Sequence, residues 1–302
     1  PPRPDRGEMS KPLLVWLVLS LIWGSTWLFI KLGLQDLPPI SFAGIRFLIA
    51  AAILWALVAA RRARLPRGRR EWGLIAVTGL LSFAVNYGLL FWGEQHTSSG
   101  LAAVLQAIIP AFGLVIAHYY LPAERFSLAK LAGVVLGIAG VGLIFSNQMS
   151  VEGPAAFQGS AAIVVGAFGV AYSNVLVKAR AGHLDPAVLA AGQMVCGLVP
   201  LLALGLVWEG NPLNFRWTPL AWVSVVYLAL VGSALAFLLF YWLVRHMDVT
   251  KTMLISLVTP VIAVTLGMLT LGEGLTWRVA AGGASILAGI GLIVRRRVSL
   301  RE

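Results

Sequence analysis

Apolar residues run along this chain in uniformly apolar blocks separated by short polar joints. A helix at the surface of a soluble protein keeps a polar face; helices apolar all round would leave nothing to show to water. Each block is about 20 residues long, enough to cross the hydrocarbon core of a bilayer. In lipid the backbone must satisfy its own polar groups, so each block is predicted to be a helix. The spans read as 13–33, 40–60, 72–92, 99–120, 127–146, 157–177, 187–207, 218–242, 251–270 and 277–294. The fold class expected is an all-α membrane protein with ten transmembrane helices. The run 13–30 reads as the first of this series rather than a cleaved leader.

Two blocks carry a proline near their middle, Pro110 in Leu101–Tyr120 and Pro260 in 251–270, 150 positions apart. A mid-helix proline removes one backbone hydrogen bond and strains the turn before it. Within a membrane, a carbonyl freed in this way needs protein or a water-filled cavity around it. Interrupted spans at matching positions of two halves point to a transporter binding site. Pro110 and Pro260 are therefore predicted helix breaks beside a central path, with carbonyls freed one turn earlier, at Gln106 and Ser256.

The remaining blocks repeat as well. Spans three and four match spans eight and nine at an offset of 150, pairing Trp72 with Trp222, Trp92 with Trp242 and His96 with His246. Span one matches span six at an offset of 147. Span five matches span ten at 149, pairing Gly133 with Gly282 and Gly140 with Gly289. A five-span unit starts its second copy from the opposite side of the membrane, so the two halves are inverted about an axis in the membrane plane. The expected organisation is a cytoplasmic tail 1–12, a first five-helix repeat 13–146, an outer linker 147–156, a second repeat 157–295 and a tail 296–302. The copies depart from one another where Arg46 becomes Gln193, Trp27 becomes Asn174 and Gln106 becomes Ser256. A substrate is not symmetric, so departures at cavity positions are expected, although drift produces them too.

Composition and charge sharpen this picture. The 302 residues are 59% hydrophobic and only 12% charged, about half the charged share of soluble domains. The net charge is +11, and of the 23 Lys and Arg all but Lys31, Arg216, Arg278 and the intramembrane Arg46 fall on one side. The positive-inside rule then puts both termini in the cytoplasm, in a multi-pass protein of the inner membrane. Basic residues spread along membrane edges form no nucleic-acid footprint. Cys196 is the only cysteine, which excludes an intrachain disulfide and a cysteine-based metal site.

Several features together resemble one family. They are Trp23-Gly24-Ser25-Thr26-Trp27, the stretch 38–47 ending in Arg46-Phe47, the two mid-span prolines, and the turns Glu124-Arg125-Phe126-Ser127 and Glu273-Gly274-Leu275-Thr276. This ordered set, with the duplication, resembles the EamA-type drug/metabolite transporter superfamily over about residues 13–295. The resemblance implies a ten-helix inverted-repeat carrier, usually an exporter of small metabolites. Within that family the chain is similar to the YddG-type exporters of aromatic and other neutral amino acids. Span six lacks the Trp-Gly-Ser/Thr pattern of span one, so no site residue carries over there.

The chain shows no metalloprotease, nucleophile-elbow, phosphate-loop or dinucleotide motif, so no enzyme activity, catalytic residue, metal or cofactor is expected. The candidate cavity wall consists of Trp27, Asn86, Tyr87, Gln106, Tyr172, Asn174, Phe237, Tyr241 and Ser256. Aromatic surface with scattered neutral polar groups suits a small amphipathic solute, a zwitterion with an apolar side chain. The same aromatics also fit core packing. Arg46 lies about two turns inside its span and is a functional candidate by default; snorkelling to the outer headgroups is the favoured reading at this depth. The carboxylates fall in joints or at span ends, with Glu94 nearest the interior, which favours a facilitator over a proton-coupled carrier.

The expected function is export of small amphipathic metabolites, above all neutral or aromatic amino acids, by alternating access. The lipid bilayer and a small-molecule substrate are the expected partners of a monomer or weak homo-oligomer. The rivals are an exporter of drug-like cations or sugar derivatives, and a non-transporting packing or lipid-handling protein.

Overall fold

The computed structural model describes residues 11–94, 96–97, 99–146, 153–271 and 276–294. The tails at 1–10 and 295–302, most of the 147–156 linker and the Glu273-Gly274 start of the second turn lie outside the described residues. So does the side chain of Glu94.

Among the described residues, ten helical segments follow the apolar blocks. They are α1 (Lys11–Gly33), α2 (Pro39–Ala60), α3 (Arg69–Gly93), α4 (Leu101–Tyr120), α5 (Leu128–Ile144), α6 (Gly153–Arg180), α7 (Pro186–Trp208), α8 (Pro219–His246), α9 (Val249–Leu266) and α10 (Trp277–Val294). Eight are long and apolar enough to cross a membrane; α5 and α10 are shorter apolar helices. Among the described residues there is no strand. The second half begins its helix at Gly153, inside the predicted linker. Pro154 suits that first turn, where its missing N–H has no helical partner to lose.

Helix starts are capped from local and distant sequence. Asp185 accepts from the amides of Ala187 and Val188 at 2.8 and 3.4 Å at the start of α7. Thr218 accepts from Ala221 at the start of α8 and donates to Asp36 at 2.6 Å. Two glutamates act across the bundle. Glu209, just beyond α7, accepts from the amides of Ile40 and Ser41 at 2.9 and 2.6 Å. Glu124 accepts from the amides of Val249 and Thr250 at 2.8 and 3.2 Å. A carboxylate at these positions meets unpaired N–H groups and the positive end of the helix dipole.

The two repeats interlock. The first helix of each half packs against the third and fourth of the other: α1 against α8 and α9, α6 against α3 and α4. The second helices, α2 and α7, pack on each other, as do the fifth, α5 and α10. These pairings are those of an inverted two-fold. At the α5–α10 contact the axis is visible atom by atom. A Cβ added at Gly133 would stand 2.5 Å from the Gly289 carbonyl, and one at Gly289 would meet the Gly133 carbonyl in turn. The mates Gly140 and Gly282 repeat this at 2.6 and 2.5 Å. Only glycine permits backbones to approach this closely.

Two interruptions were not legible in the sequence. Leu80–Val85 of α3 and Leu230–Leu235 of α8 are π-helical turns, at the repeat offset of 150. Such turns widen a helix by one residue and leave part of its hydrogen-bond ladder out of register.

The proline-bearing helices are both interrupted, but at different places. In α4 the chain breaks between Gln106 and Ile109, and Pro110 sits in the first turn of the piece that follows. In α9 the break falls at Leu254, and Pro260 lies inside the longer piece. The short first piece of α9 is held by Glu124, and the interruption lies on that side of Pro260. The interruption thus lies directly before Pro110 in α4 and well before Pro260 in α9.

Candidate functional site

A cavity of about 1330 Å³, counting its open mouth, lies where the two repeats meet. Six helices that bracket the pseudo-two-fold axis line it, and α2 adds Arg46. From α1 come Trp23, Thr26, Trp27 and Ile30, from α4 Ala103, Gln106 and Ile109. The paired π turns also reach it, through Ser82 in α3 and Gly232 in α8, which are repeat mates.

Eight of the nine candidate wall residues line this space: Trp27, Asn86, Tyr87, Gln106, Asn174, Phe237, Tyr241 and Ser256. Pro260 lines it and Pro110 does not. Tyr172 lies outside the wall. It bonds with the Tyr120 hydroxyl at 3.1 Å and packs beside Phe168. The reason is angular: Val170 and Asn174 share the cavity face of α6, and a residue midway between them points about 200° away.

Asn86 and Gln106 find each other, with Gln106 Nε2 donating to Asn86 Oδ1 at 3.2 Å. Ser256 Oγ turns back to the Met253 carbonyl at 3.0 Å, in the turn around the α9 break. Aromatic rings form much of the remaining wall. Trp23 meets Phe237 and Phe240 at 5.5 and 5.4 Å between centroids, and Tyr87 meets Phe91 at 6.0 Å. Trp23 Nε1 donates to the Gly232 carbonyl in the π turn at 3.3 Å.

Toward the end of the bundle that carries the arginine-rich loop 61–70, the cavity-lining Ser82 and Tyr241 belong to a hydrogen-bonded set. The Tyr241 hydroxyl donates to Gln193 Oε1, and Gln193 Nε2 donates to Thr78 Oγ1 at 2.5 Å. Ser173 donates to the Thr78 carbonyl at 3.1 Å and accepts from Ser82 at 2.7 Å. Gln193, Thr78 and Ser173 are fully buried. Below this set lies a smaller space lined by Lys178, Leu184, Arg245 and again Tyr241, so that ring is the shared wall of the two spaces. Lys178 Nζ donates to the carbonyls of Val244 and Met247 at 2.5 and 2.9 Å, and Arg245 donates to the Leu184 carbonyl.

Arg46 corrects the snorkelling expectation. It is 6% exposed and lines the cavity instead of reaching for headgroups. Its Nη2 donates to the Tyr87 hydroxyl at 3.1 Å, and its guanidinium lies 4.6 Å from the Phe47 ring centre and 5.2 Å from that of Tyr87. Nε is buried without a hydrogen-bond partner. Among the described residues, Arg46 is the one charged side chain in the wall. The available signal was its depth within an apolar span; which way it turns depends on Tyr87 and Phe47 standing beside it. The carboxylate expectation also needs an amendment: Glu124, in a joint by sequence, is 3% exposed and engaged as the cap of α9. Among the described residues no cluster of His, Cys, Asp or Glu could hold a metal ion.

Comparison with known proteins places this architecture. The family model described as the EamA-like transporter family matches residues 10–146 and 157–295. A Bacillus subtilis protein named as the uncharacterized transporter YoaV is 29% identical, over 93% of this chain and 96% of its own. An Escherichia coli protein named as the uncharacterized inner membrane transporter YedA is 31% identical, over 85% of this chain and 82% of its own. One crystal structure superposes with a TM-score of 0.80 at 20% identity, covering 95% of this chain and 97% of the other. That likeness speaks to the fold.

Proposed function

The chain belongs to the EamA-like transporter family, and from that premise we propose that it exports small amphipathic metabolites, neutral and aromatic amino acids foremost, by alternating access. One observation carries this reading: a cavity with an aromatic and neutral polar wall sits at the junction of two inverted repeats. A carrier built from such repeats holds its cargo where they meet and rocks one against the other. In this reading Trp27, Asn86, Tyr87, Gln106, Asn174, Phe237, Tyr241 and Ser256 bind the substrate, and Tyr172 is set aside. Each five-helix repeat is one moving body. Both termini face the cytoplasm of an inner membrane, as the distribution of basic residues favours.

Among the described residues the wall holds no acidic side chain, so flux follows the gradient of the solute itself. The same fact weighs against a cationic drug as cargo, because Arg46 would repel it. The test is flux of a panel of amino acids into proteoliposomes. Saturable uptake of aromatic and branched amino acids, unchanged by an imposed pH gradient and weakened by Gln106→Ala at normal folded yield, is the expected result. No flux of any amino acid would overturn the cargo assignment, and proton-driven uptake would overturn the facilitator reading.

A further inference from the structure

We propose that Arg46 is the recognition element of the cavity, that it holds the carboxylate of an apolar organic acid, and that the amino group of an amino acid is dispensable for binding. This deepens the proposed function and rests on it only for the cavity being the cargo site.

Arginine keeps its charge in any protein environment. Burying it is costly unless a counter-charge and further hydrogen bonds compensate. Here the compensation is incomplete. The Tyr87 hydroxyl takes one N–H and two ring faces offer cation–π contact. Nε has no partner, and among the described residues no carboxylate forms an ion pair with Arg46. A guanidinium fork matches a carboxylate in two parallel hydrogen bonds. The group that completes this site is therefore an anion arriving in the cavity.

The complementary observation concerns the other end of an amino acid. An ammonium group is met best by an acidic side chain, and among the described residues the wall contains no Asp or Glu, only neutral acceptors such as the Asn174 amide and the Ser256 hydroxyl. The Asn86 carbonyl oxygen is already engaged by Gln106. The same cavity is lined by the aromatic rings of Trp23, Trp27, Phe237 and Phe240. Their surface is suited to an aryl or branched apolar body. The ligand class is thus a monocarboxylate with an apolar body, of which zwitterionic amino acids are one subset.

The experiment compares three probes with the same aryl body on purified wild-type protein: phenylalanine, 3-phenylpropionate and phenethylamine. Binding is read from the change in total tryptophan fluorescence, to which Trp23 and Trp27 in the wall contribute among 11 tryptophans, and transport from proteoliposome flux. Phenylpropionate is expected to bind within a few fold of phenylalanine, and phenethylamine at least about tenfold more weakly, the worth of a charge-assisted hydrogen bond. In Arg46→Gln, both carboxylates lose about tenfold to a hundredfold while phenethylamine is unaffected or gains. Arg46→Lys, which keeps the charge without the fork, falls between. Phenethylamine binding as well as phenylalanine on wild type would overturn the proposal, and needs no variant to fold. Phenylpropionate failing while phenylalanine binds would also overturn it, by showing the amino group essential. Flux of phenylpropionate without flux of any amino acid would leave this inference standing and sink the amino-acid reading.

Discussion

Arg46 and Gln193 stand at matching positions in the two repeats, one in α2 and the other in α7. Arg46 faces the cavity with its Nε unpartnered, while Gln193 is fully buried with both ends of its amide bonded, to Tyr241 and Thr78. The neighbours differ in the same sense. Tyr87 offers its hydroxyl to Arg46, and its mate Phe237 has none to offer. Tyr241 bonds Gln193, and its mate Phe91 cannot do the same for Arg46. A duplicated scaffold thus supplies two equivalent places, and the chain fills one with an incomplete polar set and the other with a complete one. The incomplete set is ready for a ligand. The complete set separates the cavity from the space beside Lys178 and Arg245.

The most severe way to break this contrast is to make the second half resemble the first. Gln193→Arg puts a guanidinium among fully buried groups with no anion and no cavity. An uncompensated buried charge costs about 3–5 kcal/mol, so folded yield and thermal stability in detergent should drop sharply. The reverse change, Arg46→Gln, should leave both near wild type. Equal damage from the two exchanges would mean that Arg46 is a structural element.

A smaller effect comes from removing one hydroxyl on each side. Tyr241→Phe leaves Gln193 Oε1 buried and unpaired, at a cost of about 1–3 kcal/mol. It also loosens the wall between the two spaces, so a solute leak should appear. Tyr87→Phe removes the partner of Arg46 where cavity water can replace it, and should cost under about 1 kcal/mol. Thermal melts of the two variants side by side decide this; if Tyr87→Phe is the worse, the roles of the two sets have been exchanged.

The smallest difference is expected at the prolines. Pro110 occupies the first turn of a helical piece, where no hydrogen bond is lost. Pro110→Ala should therefore change stability by a few tenths of a kcal/mol. Pro260 lies inside its piece, and alanine there can restore a bond to the Ser256 carbonyl. Pro260→Ala should raise the melting temperature more than Pro110→Ala and slow transport. Equal shifts would show that the displaced break has no mechanical consequence.

Much of the fold is legible in the order of residues, for particular reasons. Span length and apolarity are local properties, so α1 to α10 follow the predicted blocks closely. The offset of 150 carries Trp72 to Trp222 and predicts which helices are mates. Glycine spacing in α5 points to close approach, and the Gly133–Gly289 contact is of that kind. The site is legible in part. Eight wall residues stand out because polar and aromatic residues within apolar spans need a reason to be there. Tyr172 is misjudged by the same reasoning because membership of the right helix does not specify its face.

The residue order alone determined that the chain spans a membrane many times, that it is duplicated and inverted, and that its halves differ at Arg46, Trp27 and Gln106. These are statements about composition, period and register, and each can be counted along the chain. Tertiary structure settled the rest. The π turns arise from a ladder that shifts only against packed neighbours. The start of the short piece before Leu254 is capped by Glu124, whose carboxylate arrives from a joint 125 residues away. The fate of Arg46 depends on Phe47 and Tyr87 turning it inward. A side chain in a membrane has a depth that its position in the span specifies, but its direction, and therefore its chemistry, is set by what the other helices place beside it.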